Sequence, residues 1–154
     1  SSELVELRTM ETNVMGFTRM ITAAYNYFAR QGSGHIAVIT SIAGTKGLGT
    51  ATAYSASKRM QNTYLDALSQ LSHMRKIAFT DIRPGFVATD LLNKEHRYPM
   101  LMPLCPVARK AFRAIVRRRR RVIIDWKFSV LVFFWRLIPA GLWERMPVSV
   151  IKNE

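Results

Sequence analysis

The sequence predicts an α/β fold in which three parallel strands are flanked by helices, and three observations lead there. Short apolar runs at 35–42, 77–82 and 122–124 have the length of buried strands. Longer stretches at 3–30 and 53–74 repeat apolar residues at spacings of three and four, the period of a helix. Strand and helix alternate in sequence, as they do around a parallel sheet. With 154 residues and an apolar fraction of 49%, the chain is long and greasy enough for one domain with a core.

The first helix, 3–30, carries a stripe of Val14, Phe17, Ile21, Ala24 and Phe28, with Met20, Ala23 and Tyr27 on neighbouring positions. It is therefore apolar on more than one side, suited to a sheet and to a partner. Gln31-Gly32-Ser33-Gly34 ends it, glycine being a favoured helix stop. Ile36, Val38 and Ile39 mark the first strand. The second helix, 53–74, repeats Ala53, Ser57, Met60, Tyr64, Ala67 and Leu71, with Leu65 and Leu68 beside them. Pro84-Gly85 stops the strand at 77–82. Residues 91–106 hold Pro99, Pro103 and Pro106 among Tyr98, Met100, Leu101, Met102 and Leu104, which predicts an irregular apolar loop. Residues 107–119 read as a helix whose terminal arginines complement its dipole, and 122–124 as the third strand. After Asp125 the composition changes, which divides the sequence into 1–126 and a tail, 127–154. Phe128 to Leu142 is nearly all apolar, but Arg136 and Pro139 interrupt it. It falls short of the ~20 apolar residues that span a bilayer.

The single cysteine, Cys105, excludes an internal disulfide and reads as a small buried apolar residue in a reducing compartment. His35, His73 and His96 are scattered, without metal-ligand spacing. No leader pattern is present, so the expected location is cytoplasmic, or peripheral at a membrane through the tail. Net charge is +13, and Arg109, Lys110, Arg113 and Arg117 to Arg121 contribute eight cations with no acid among them. Such a run can meet anionic lipid or nucleic acid, or simply be solvated. No aromatic or Gly-rich recognition pattern accompanies it, which argues against nucleic acid.

The stretch from Thr40 to Lys58 carries the chemistry. Tyr54 and Lys58 are four residues apart, so one helix places them on one face, a turn apart. Ser41, at a strand end thirteen residues before Tyr54, can converge with them. This arrangement resembles the active site of the short-chain dehydrogenase/reductase family, whose Tyr-x-x-x-Lys pair and preceding Ser it matches. Asn13, in Thr12-Asn13-Val14-Met15-Gly16, matches the family's fourth catalytic residue. Arg83-Pro84-Gly85-Phe86-Val87-Ala88-Thr89 matches its Pro-Gly motif. The resemblance covers about residues 3 to 125. It implies the C-terminal part of a Rossmann-type doubly wound sheet. No Gly-rich nucleotide turn follows a strand; Gly44, Gly47 and Gly49 lie between Ser41 and Tyr54, in an active-site loop.

The resemblance implies hydride transfer between NAD(P) and an alcohol or carbonyl, with NAD against NADP left open. A free phenol titrates near 10, and a nearby ammonium favours its phenolate. On this reading Tyr54 is the general acid/base, Ser41 bonds the substrate oxygen, Lys58 also bonds the nicotinamide ribose, and Asn13 holds a water in the proton path. Pro84, Gly85, Val87 and Thr89 would line the nicotinamide and diphosphate side. Sugar-nucleotide epimerases and dehydratases share the Tyr-x-x-x-Lys pair, but the Pro-Gly-x-x-x-Thr turn favours simple reductases. Helices 3–30 and 53–74 are the expected homo-oligomer interface, and 91–106 the substrate lid. The tail, 127–154, reads as a lid over the substrate pocket, a subunit interface or a membrane contact, and the alternative to the enzyme is a non-catalytic fragment that associates with a membrane or a partner. Trp126, Trp135 and Trp143 would then sit at the bilayer interface, with Lys127, Arg136 and Arg145 snorkelling.

Overall fold

The computed structural model describes residues 2–90 and 98–146. Helix α1 (Glu3–Met10) passes through a π-helical turn (Glu11–Gly16) into α2 (Phe17–Gln31), so the helix expected at 3–30 forms with one widened turn. Gly32, at φ 85°, takes the left-handed conformation that closes α2, and its N–H bonds the Phe28 carbonyl at 2.9 Å. Strand β1 (Gly34–Ile39) follows. It ends before the predicted Ile42, because Ile42–Thr45 winds into a 3₁₀ turn capped by the Ser41 hydroxyl. Helix α3 (Thr52–Leu71) and strand β2 (Ile77–Arg83) come next.

Helix α4 (Leu104–Val116) begins three residues earlier than the sequence suggests. Pro103 stands at its N-cap position without a side-chain capping bond, and Pro106 lies in its first turn, where a missing N–H breaks no helical bond. It also ends earlier, at Val116, and Arg118 reverses direction there with φ 48°. Cys105, expected to be buried, is exposed in that first turn. Of the expected loop at 91–106, residues 91–97 lie outside the described residues. Strand β3 (Arg121–Ile123) precedes α5 (Trp126–Leu137), which Asp125 caps by accepting from the Lys127 N–H. Pro139 separates α5 from α6 (Ala140–Arg145).

The strands lie in the order β1-β2-β3, all parallel, with Ile36 opposite Phe79 and Ile82 opposite Val122. Alternation along β2 divides the core in two. Ile77 and Phe79 join Ile21, Ile36, Leu65 and Leu68, under α2 and α3. Ile82 joins Met102, Ala111, Ile124, Phe128 and Val132, under α4 and α5. This is the Rossmann-type arrangement, helices on both faces of a parallel sheet. Each fully buried side group such as that of Leu65 or Ile82 contributes roughly 1.5–3 kcal/mol relative to exposure. The apolar run at 128–142 is thus part core, through Phe128 and Val132, and part surface, through Phe133, Phe134, Leu137 and Leu142. Among the described residues no helix is long and apolar enough to cross a membrane.

Candidate active site

The site lies at the C-terminal end of β1 and β2, where the backbone leaves the sheet. Three segments meet there. The 3₁₀ turn after β1 is tied to the loop after β2 by the Ile42 N–H on the Pro84 carbonyl, at 3.2 Å. The same turn presses on α3 at Gly44. A Cβ at that position would fall 2.7 Å from both atoms of the Lys58 backbone carbonyl, so only glycine permits this approach. Ser41, Lys58 and the Pro84 loop are held together in this way. Ser41 is buried, with its Oγ accepting from the Ala43 N–H at 3.1 Å.

Helix α3 presents Tyr54, which is 41% exposed. The Lys58 ammonium sits 5.7 Å from the centre of the Tyr54 ring, as the four-residue spacing requires. Burial pushes the Lys58 amine below the ordinary lysine range, and the Asp81 carboxylate partly opposes that. Asp81 is fully buried at the end of β2, where it accepts from Thr40 Oγ1 at 2.6 Å and from Arg83 Nε at 2.7 Å.

Asn13 reaches the site from the π-helical turn. Its Nδ2 donates to Ser57 Oγ at 3.1 Å, and Ser57 Oγ donates to the Tyr54 carbonyl at 2.8 Å. Its backbone carbonyl accepts from Gln61 Nε2 at 2.7 Å, while Gln61 Oε1 accepts from Lys58 Nζ at 3.1 Å. Sequence reasoning missed Ser57 and Gln61 as site residues. The available signal was two polar residues four apart on a helix face that is otherwise buried. It also missed Glu6, whose Oε2 accepts from Thr52 Oγ1 and the Ala53 N–H, both at 2.7 Å, and so caps α3 just before Tyr54.

Pro84, Gly85, Val87 and Thr89 are half-buried in the loop after β2. That loop is pinned by a short parallel bridge between Val87 and Met102: the Ala88 N–H donates to the Met102 carbonyl and the Met102 N–H to the Phe86 carbonyl, both at 2.9 Å. On the other side the tail straps the Gly-rich loop. Lys46 Nζ donates to the Ile138 carbonyl at 2.7 Å, and Trp143 Nε1 to the Gly47 carbonyl at 2.8 Å. Trp143 is thus committed to the site loop and Trp135 packs edge-on against it, so of the three tail tryptophans only Trp126 stands exposed. Among the described residues no cluster of His, Cys, Asp and Glu could hold a metal ion.

The sequence pattern of the short chain dehydrogenases matches residues 3–98. The chain belongs to that family. Among the relatives of this chain, an uncharacterized oxidoreductase of Myxococcus xanthus is 28% identical over 136 residues, covering 88% of the chain and 54% of the relative. Dehydrogenase/reductase SDR family member 7B of Bos taurus is 27% identical, covering 97% and 50%. The chain spans about half the length of the curated relatives it matches. Among solved structures, a short-chain dehydrogenase from Sphingobium yanoikuyae in complex with NADPH superposes with a TM-score of 0.74 at 17% identity, over 99% of this chain and 61% of that one. A 7beta-hydroxysteroid dehydrogenase superposes with a TM-score of 0.71 at 17% identity, over 82% and 52%. These structures share the fold.

Proposed function

We propose that the protein supplies the catalytic half of an NAD(P)-dependent oxidoreductase that interconverts an alcohol and a carbonyl. The observation that carries this is the shared face of Tyr54 and Lys58, with the Ser41 turn locked against Lys58 by Gly44. The donor set suits the nicotinamide ribose: an accessible phenol and an ammonium, both able to bond hydroxyls, with the half-buried Pro84–Thr89 loop alongside. When bound, the nicotinamide supplies or accepts the hydride. Tyr54 gives its proton to the substrate oxygen during reduction and takes it back during oxidation. Lys58 keeps a positive charge beside the ring, which stabilises the phenolate left behind. Ser41 Oγ donates to the substrate oxygen as negative charge grows there.

The test is a polypeptide of the relatives' full length, assayed with a panel of aldehydes and ketones and each reduced coenzyme. Tyr54→Phe keeps the ring and removes the proton. Turnover should drop by about 10²-fold or more, with coenzyme affinity little changed. Activity within a few-fold of the parent overturns the assignment. A second reading, contact with an anionic membrane surface, is favoured by the exposed Trp126, Phe133, Phe134, Leu137 and Leu142 beside Lys127 and Arg136. Anionic vesicles should then sediment the protein at low salt and lose it when 127–154 is removed. Retention in the supernatant leaves those residues as a protein interface.

A further inference from the structure

Gln61 is 4% exposed, yet it brings a full amide into the interior of α3. A leucine or methionine would fill that place without desolvating a polar group, and a buried amide is tolerated only when its hydrogen bonds are made. Both ends of this one are used. Nε2 donates to the Asn13 carbonyl at 2.7 Å and Oε1 accepts from Lys58 Nζ at 3.1 Å. A carbonyl has two lone pairs, so Asn13 can take this bond beside a helical one. One turn earlier, Asn13 Nδ2 donates to Ser57, which donates to the Tyr54 carbonyl. Asn13 thus grips α3 at two levels, once through Ser57 beside Tyr54 and once through Gln61 beside Lys58.

The charged groups around Lys58 make this grip matter. Tyr54 faces it from the same helix and Asp81 from β2. The two oxygens of Asp81 are already engaged, one by Thr40 and the other by Arg83. Asp81 therefore supplies field, and Gln61 supplies a directed acceptor. We propose that Gln61 is a positioning residue, which fixes the Lys58 ammonium under Tyr54 by tying it to the Asn13 backbone. The proposal rests on the reading of Tyr54 and Lys58 given above for its catalytic consequence. Lys58 has three donors; with one fixed on Gln61, the other two are aimed instead of rotating freely.

The experiment is the proton titration of Lys58 in the 154-residue protein, followed by NMR at its Cε and assigned by Lys58→Arg. An acceptor on an ammonium favours the charged form. Gln61→Leu should weaken proton affinity at Lys58 about tenfold, one unit in midpoint. Gln61→Glu, which keeps the acceptor and adds charge, should strengthen it. A midpoint in folded Gln61→Leu equal to the parent's overturns the proposal, because packing alone does not set it. If Gln61→Leu fails to fold, Gln61→Met, which keeps the length and flexibility without the acceptor, decides: a lowered midpoint supports the tie and an unchanged one removes it. No coenzyme or substrate enters the measurement. Failure here therefore leaves the Tyr54 assignment standing, and failure of Tyr54→Phe leaves this tie standing.

Discussion

Lys58 carries opposed demands. The proposed chemistry asks for its positive charge, while burial penalises that charge and pushes its titration below the ordinary lysine range, with Asp81 only partly compensating. The unfolded state keeps the Lys58 proton to higher pH than the folded state does. Between the two values the unfolded state binds more protons, so stability rises with pH across that window, by at most about 1.4 kcal/mol per unit. Lys58→Met should flatten that rise. Denaturant titrations at pH values from about 7 to 11 check it, and an equal slope in both proteins refutes it. The site was legible in sequence only where spacing alone carries meaning. Tyr54 and Lys58 share a face because any helix puts positions four apart together. Gln61 bonds Asn13 across 48 residues and Glu6 caps Ala53 across 47, and no local pattern announces such partners.

At the scale of elements, the helix that carries Tyr54 is started by a residue from another helix. Ala51 precedes α3 and has no polar group with which to cap it, and Glu6 of α1 supplies the acceptor instead. A carboxylate there also meets the positive end of the helix dipole. Glu6→Ala should destabilise the fold by about 0.5–2 kcal/mol, with Glu6→Gln losing less, read as a fall in denaturation midpoint. Loss of stability equal to an ordinary surface substitution would show that α3 starts without it. The elements themselves were legible because short apolar runs mark β1, β2 and β3 while apolar residues recur every three or four positions along α2 and α3. Their ends were less so. β1 stops early because the Ser41 hydroxyl favours a 3₁₀ turn over another strand residue, and α4 starts early because proline is harmless in a first turn. The π-helical turn at Glu11–Gly16 has no periodic signature, since apolar stripes on either side of it continue.

For the whole molecule the unmet demand is cover for apolar surface. Among the described residues β1 pairs only with β2, so its other edge offers unpaired backbone, and Ile39 on it is 65% exposed. Leu4, Val5 and Leu7 of α1 and Met20 and Tyr27 of α2 are also exposed, on the helix whose two-sided apolar pattern is visible in the sequence. The arginine run is less free than its composition suggests, because Arg120 and Arg121 both reach Asp66 Oδ1 at 2.7 Å. Charge repulsion is thus reduced near β3, while the greasy helix and open edge lie towards β1. The expected result is self-association of the 154-residue protein through α1 and α2, with a second copy covering those residues. Light scattering during gel filtration should give a mass of at least two copies at micromolar concentration. Leu4→Glu with Leu7→Glu should return the mass to one copy with the helical signal retained, since both leucines are exposed and their loss leaves the core intact. The charges should also interrupt any apolar contact there, whatever its geometry. A single-copy mass for the parent, at concentrations where the double variant is folded, would show that this face needs no cover.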